Sequence, residues 1–350
     1  MVATDEKTDS SAASYQPTSG NFDKKYHLNA ELVNKDNRES YAKTAIGYHH
    51  PDYIKRYKGT NTHFPFYLCQ PDVDAFVARP TDIAICGFPK SGSSRLSAIL
   101  GMMLNNCDSK FLTEGENLEL KVRFFEFCTP ANEQGPRSLD VLNAQSGPRL
   151  FFTHLGAGAA APSLFKNKAK IVYHIRNPKD IMVTLYFHFI SRVLSNYNAD
   201  LMEMVNAFVE DRIVYGPYFD HLASYWKLRN DPNMFILSFE QLSENFRDTV
   251  KELGKFLAKD LTEEQVKSLE YHCSFEQMKA NPKTNRYDKH VSGIYNHDIS
   301  PFLRCGTPGG WKEHLTPEMN DKVNAWMAKN LAREDLAGLA DRFKSTFTNH

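Results

Sequence analysis

The chain has 350 residues, of which 41% are hydrophobic and 12% aromatic, enough to bury a sizeable core and to exclude whole-chain disorder. Its 42 Lys plus Arg are balanced by 42 Asp plus Glu, which excludes a polyanion binder; no nucleic-acid and no membrane partner is expected, while a small anionic ligand is still allowed. No run of 18 apolar residues offers a transmembrane span, and residues 1–20 lack the apolar core of a signal peptide.

In chain order, residues 1–40 are polar and aperiodic and read as a flexible extension, and residues 41–350 read as one domain. The stretch 41–80 is rich in aromatics, Tyr48, Tyr53, Tyr57, Phe64, Phe66 and Tyr67 among them, without clean periodicity. It is expected to be irregular and packed against the main body. From Asp82 onward short apolar runs alternate with helical patterns. The runs Ile83–Cys86, Leu150–Thr153, Lys170–Ile175 and Met234–Leu237 are continuously apolar, as strands buried on both faces of a parallel sheet are. The fold class that follows is α/β, a central parallel sheet flanked by helices.

Leu96, Ile99, Leu100 and Met103 recur at helical spacing directly after the first run, and Phe246, Val250, Leu253, Phe256 and Leu257 form a second stripe. Thr262 with Gln265, and Ser274 with Gln277, read as capping boxes; Thr316 before Pro317 reads as an N-cap with proline at the first helical position. The six cysteines (Cys69, Cys86, Cys107, Cys128, Cys273, Cys305) form no Cys-x-x-Cys pair, and a reduced, cytoplasmic protein is expected.

The most informative segment joins the first strand to the first helix: Gly87-Phe88-Pro89-Lys90-Ser91-Gly92-Ser93-Ser94-Arg95. A glycine- and serine-rich turn between a buried strand and an amphipathic helix gathers backbone N–H groups and a helix N-terminus around an anion. Gly87 and Gly92 have the spacing of the nucleotide-triphosphate P-loop, but Ser93 stands where that loop has lysine, and Lys90 lies inside the turn. A lysine moved by three positions meets the anion from another side. Two alternatives remain open at this point: a P-loop kinase, disfavoured by the displaced lysine and the lack of a strand-ending Asp for magnesium, and a non-catalytic nucleotide binder.

This loop resembles the 5′-phosphosulfate loop of the cytosolic sulfotransferases, which use 3′-phosphoadenosine 5′-phosphosulfate (PAPS) as co-substrate and release 3′-phosphoadenosine 5′-phosphate (PAP). The resemblance implies that Lys90 contacts the transferring sulfuryl group and that Ser91, Gly92, Ser93 and Ser94 hold the 5′ end. Arg95 stands where the family has a tryptophan stacked on adenine; its guanidinium plane could replace that stack.

Four further segments extend the resemblance from Asp82 to Lys312. Arg176-Asn-Pro-Lys-Asp180 with Thr184 resembles the 3′-phosphate motif of an arginine and a hydroxyl eight residues later. Arg304-Cys305-Gly306-x-x-Gly309-Gly310-Trp311-Lys312 resembles the segment that closes over that phosphate, with Cys305 and Gly310 in place of lysine and aspartate. Ser274-Phe275 with Met278 to Pro282 resembles the segment that lays a phenylalanine against adenine, and Phe239 falls where the family has an adenine-adjacent tyrosine. Phe152-Thr153-His154 resembles the family's Lys-Thr-His, implying His154 as the general base and a cation lost at Phe152.

The reaction implied is transfer of a sulfuryl group to a hydroxyl or amine of a small-molecule acceptor, without a metal. Residues 64–67 and Tyr186 to Phe189 are candidate acceptor walls. The spacing Lys312-x-x-x-Thr316-Pro317-x-x-x-Asp321 partly resembles the family's dimer motif and is compatible with a homodimer.

Overall fold

The computed structural model describes residues 31–32, 54–126, 137–192, 197, 199–287 and 295–348. The expected extension at 1–40 lies outside them except for the two-residue strand β1 (Glu31–Leu32). β1 pairs antiparallel with β2 (Ile54–Tyr57), which turns back into β3 (Thr60–His63). A helix at Phe64–Ala75 follows. The expectation of irregular structure over 41–80 is therefore corrected for residues 54–75, while 41–53 lie outside the described residues. The hairpin escaped notice because β3 is polar although Thr60, Asn61 and Thr62 are all buried, so no apolar alternation marks it.

The main sheet has five parallel strands: β4 (Ile83–Gly87), β5 (Arg123–Phe124), β6 (Leu150–Thr153), β7 (Lys170–Ile175) and β8 (Met234–Ser238), in the order β5-β6-β4-β7-β8. The four apolar runs are its four longer strands. In β4, Ile83 and Ile85 pack into one core, with Val172 and Leu237, while Ala84 and Cys86 pack into the opposite core, with Phe151 and Tyr173. Burial on both faces is what made the runs continuous.

The helices that bear on the site are α1 (Ser93–Leu104), α2 (Pro178–Ser191), α3 (Phe246–Phe256), α4 (Glu263–His272), α5 (Phe275–Ala280) and α6 (Pro317–Leu331). The predicted stripe of α1 is buried against the sheet, as are Phe246, Val250 and Leu253 of α3. Thr262 opens α4 with a complete capping box, and Thr316 caps α6 ahead of Pro317. At α5 the Ser274 hydroxyl accepts from the Gln277 N–H, which is half of the predicted box.

Chain topology fixes where the site must lie. β4 is central, and the chain passes to β6 on one side of it and β7 on the other. The crevice beyond the carboxyl ends of strands at such a switch point is where open α/β sheets take ligands. His154 follows β6, the Lys90 turn follows β4, Arg176 follows β7 and Phe239 follows β8. The topology thus sets these four side by side at one edge.

Candidate active site

The turn between β4 and α1 is held in a shape few side chains tolerate. Lys90 has φ +68° and Gly92 φ +117°, and α1 starts with no side-chain cap, so its first N–H groups have no capping side chain. Glycine at 92 is needed twice over, because a Cβ there would come within 3.1 Å of the Phe239 ring. The Ser91 hydroxyl turns inward and donates to the Phe88 carbonyl, so it shapes the turn. Ser93 and Ser94 stay half-buried at the helix start. Ser94 shares a cleft with Ser97, Asn117, Phe152 and Arg286.

The other motifs converge on this turn. Arg176 is buried, donates through Nη1 to the Lys90 carbonyl at 3.0 Å and lies over the Phe239 ring at 4.2 Å. Its Nε has no hydrogen-bond partner among the described residues, nor has Nε of Arg304. Arg304 lies over the Phe187 ring at 4.7 Å and its Nη1 sits 3.2 Å from Nε2 of His314. Thr184 is half-buried on α2, nearly two turns beyond Arg176. Phe275 packs closely on Gly306, where a Cβ would fall 2.2 Å from the ring, so the close approach requires glycine there. Cys305 is half-buried, with its thiol against Thr307. Arg95 is engaged elsewhere: Nε donates to the Cys273 carbonyl at 3.2 Å and its guanidinium lies over Phe246 at 5.3 Å.

Sequence reasoning missed the residues that tie these parts together. Asp180, buried on the first turn of α2, accepts from the N–H groups of Gly309 (2.8 Å) and Trp311 (3.0 Å), locking the third motif onto the second. Arg286 was also missed. Its guanidinium and the Lys90 ammonium share the Phe302 ring, at 4.1 and 4.4 Å, while its Nε pairs with Glu119 at 2.6 Å. Asp180 stands at the end of the Arg176–Asp180 motif, which gave no sign of its bracing role, and no short-range pattern marks Arg286.

Charge is the decisive property of this cluster. Burial pulls Lys90 down to about 7, and the next four influences, Arg286, Arg176, Arg304 and Arg192, all push the same way. Gathering cations around a buried ammonium is unfavourable unless an anion joins them. Two arginine Nε–H groups without partners, an uncapped helix start and a lysine whose charge is suppressed all fit a multiply charged phosphate or sulfate ester.

On the other side of β4, the ring of His154 reaches back across the sheet. Its Nδ1 lies 2.7 Å from the Gly87 carbonyl, which can only accept, so Nδ1 carries the proton and the Nε2 lone pair is free. The His154 N–H donates to the buried Glu126, whose own carboxyl burial raises to about 8. Nε2–H of His221 donates to the His154 carbonyl at 3.1 Å, and the other nitrogen of His221 then accepts from the Tyr173 hydroxyl at 3.0 Å. Burial lowers the His154 imidazole to about 3, so it is neutral at physiological pH. Phe124, Phe152 and Tyr215 surround its ring at 5.3, 5.6 and 5.6 Å. Of the residues expected as acceptor walls, Phe187 lies beneath Arg304, and the side chains of 64–67 lie outside the described set. Among the described residues no group of three or more His, Cys, Asp or Glu could hold a metal ion, and no helix is long and apolar enough to cross a membrane.

Residues 80–335 match the sulfotransferase domain family. The chain belongs to the sulfotransferase family. It is 33% identical to sulfotransferase 1 family member D1 of Mus musculus over 74% of this chain and 86% of that one. It is also 33% identical to sulfotransferase 1E1 of Homo sapiens, over 78% and 92%. In fold it resembles retinol dehydratase in complex with androsterone and PAP, with a TM-score of 0.75, 23% identity, and coverage of 88% of this chain and 97% of that one. This sulfotransferase is therefore a PAPS-dependent transferase on a P-loop-like parallel sheet, and neither the kinase nor the non-catalytic alternative is favoured.

Proposed function

We propose that this sulfotransferase moves a sulfuryl group from PAPS to a hydroxyl or amine of an apolar small molecule, with His154 as the base. The His154 Nδ1–Gly87 hydrogen bond supports this reading most strongly. It leaves a bare imidazole nitrogen beside the turn that presents Lys90, and a base and an anion site placed together are what the reaction needs. In the transfer, Nε2 removes the acceptor proton as the acceptor oxygen or nitrogen forms its bond to sulfur. The bond from sulfur to the phosphate oxygen breaks, and its electron pair leaves with PAP. Lys90 meets the charge growing on that oxygen, while Arg176, Thr184 and Arg304 hold the 3′-phosphate.

Ser93 and Ser94 serve the 5′ end, and Arg286 adds a second cation next to Lys90. Phe239 and Phe275 border the base, with Gly306 and Cys305 carrying the chain past it. Ser91, Gly92 and Arg95 act through the shape of the turn. The aromatic wall of Phe124, Phe152 and Tyr215 favours an apolar acceptor. The exposed Lys312, Thr316 and Asp321 leave the 312–321 segment accessible for a homodimer contact, and a cytoplasmic location agrees with the unpaired thiols of Cys86, Cys107, Cys273 and Cys305.

Replacing the base tests the proposal. His154→Ala should lower transfer by roughly 10²–10⁴-fold, while PAP, measured by calorimetry, still binds as in the parent. Transfer retained in that variant would remove His154 from the mechanism.

A further inference from the structure

His174 is a buried titratable side chain at the phosphate turn that the mechanism above leaves unused. It sits next to last in β7, 2% exposed, opposite Gly87 in the β4–β7 pairing. Its ring lies directly over that glycine: a Cβ at 87 would fall 2.5 Å from Nε2. The residue that opens the turn is glycine because the imidazole occupies the space. From there Nε2 reaches the Ser93 hydroxyl at 3.2 Å, at the first residue of α1. Nδ1 has no hydrogen-bond partner among the described residues. An imidazole in a strand whose other buried residues are Ile, Val and Tyr is a poor core residue unless its polar contact is needed.

We propose that His174 is a positioning residue that aims the Ser93 hydroxyl at the 5′-phosphate of the nucleotide. Burial lowers the imidazole to about 4, against the opposing pull of a backbone hydrogen bond at Ser91, so it is neutral near pH 7 and has a single proton to place. With that proton on Nδ1, Nε2 accepts the Ser93 proton, and the serine turns lone pairs toward the anion. With it on Nε2, Nε2–H donates to Ser93 Oγ, and the serine proton is free to point into the turn. An anionic ligand selects the second arrangement, since only there does Ser93 donate to it. His174 thus sets the direction of a hydroxyl without touching the nucleotide.

The proposal rests on the reading of Ser93 as a 5′ contact, and the test separates the two. PAP binding would be measured by calorimetry for Ser93→Ala, His174→Leu, the double variant, His174→Gln and His174→Asn, with adenosine 3′-phosphate, which lacks the 5′-phosphate, as control ligand. Ser93→Ala and His174→Leu should each weaken PAP by about tenfold or more, and the double variant no further. Adenosine 3′-phosphate should bind all of them alike. Gln, whose amide nitrogen can reach the place of Nε2, should restore binding to within about threefold, whereas Asn, which mimics Nδ1, should not. In turnover, the KM for PAPS should rise while kcat changes little.

Additive losses in the double variant, a His174→Leu protein that binds PAP normally, or Gln no better than Asn would each overturn the role of His174. Normal PAP binding by Ser93→Ala would overturn the serine contact itself. If His174→Leu does not fold, the comparison of Gln with Asn decides the matter.

Discussion

At Lys90 an ammonium group is held in left-handed backbone, its ring neighbour shared with Arg286 and its own carbonyl bonded to Arg176. Burial, then Arg286, Arg176, Arg304 and Arg192, bring it down to about 7 from the ordinary 10.5. The sign of the pH effect follows. In the free protein Lys90 is mostly charged below pH 7 and mostly neutral above it. A bound dianion favours the ammonium and raises its pKa, so binding between the two values takes up a proton. Calorimetry of PAP in two buffers of different ionisation enthalpy should give an uptake of roughly 0.1 proton at pH 6 and roughly 0.9 at pH 8, and Lys90→Met should remove most of the difference. No uptake at pH 8 would mean that Lys90 is already charged in the free protein. The free fold obeys the same sign: between pH 7 and 10.5 the unfolded chain holds more protons at this lysine, so this group's contribution to stability rises with pH.

Lys90, Arg176 and His154 could be read from the sequence because each stands in a short motif whose spacing carries its chemistry. Arg286 and His174 could not, nor could the bracing role of Asp180, although that residue ends the Arg176–Asp180 motif. Their partners lie far away in the chain and meet only when β4, β7, α2 and the C-terminal turn come together. Ser91 and Arg95 make the converse point. Both have the right type and position for ligand contact, yet their polar atoms are turned to the Phe88 and Cys273 carbonyls.

Among elements, the strands were legible where burial on both faces erased alternation, and illegible where a strand was two residues long, as β5, or polar on its buried side, as β3. That polar hairpin matters for the site. The Asn61 carbonyl accepts from the Tyr215 N–H at 2.7 Å, and its side-chain amide donates to the Asp211 and Ile213 carbonyls at 2.9 and 3.1 Å. It braces the aromatic wall beside His154. The hydrogen bonds between α2 and the Gly309–Trp311 turn come from one carboxylate, beside the Lys179 ammonium that lies over Trp311 at 4.2 Å, and Asp180→Ala tests them. Each donor left unpaired costs about 1–3 kcal/mol, so thermal unfolding should move down. PAP affinity should fall with it, because Arg304 rides on the same turn. A variant of lowered stability but parental PAP affinity would show that Arg304 is held by Phe187 and His314 alone.

Across the whole molecule, a net charge of zero conceals a strongly uneven distribution: Lys90, Arg176, Arg192, Arg286 and Arg304 act on one another at a single edge of the sheet, with Glu119 as the carboxylate paired to Arg286. A field of this kind attracts any polyphosphate, so affinity alone is a weak guide to the ligand. What separates candidates is where the charges fall. PAP and ADP both carry two phosphates on one adenosine, but PAP divides them between the 3′ and 5′ positions, whereas ADP places both on the 5′ side. Arg176 and Arg304 come to the turn from two further elements, the end of β7 and the segment before Gly309, and not from the uncapped start of α1 itself, so anions on two sides of the nucleotide suit the arrangement better than one chain of phosphates. PAP should therefore bind at least about tenfold more tightly than ADP. Raising the salt should weaken both, because it screens the shared attraction, but should leave their ratio largely intact, because the short hydrogen bonds proposed for Arg176 and Thr184 would not be screened in the same way. Calorimetry with both nucleotides at low and high salt reads the two effects separately. A ratio that collapses toward one as salt rises would leave only the general field and would remove Arg176, Thr184 and Arg304 as a dedicated 3′-phosphate site.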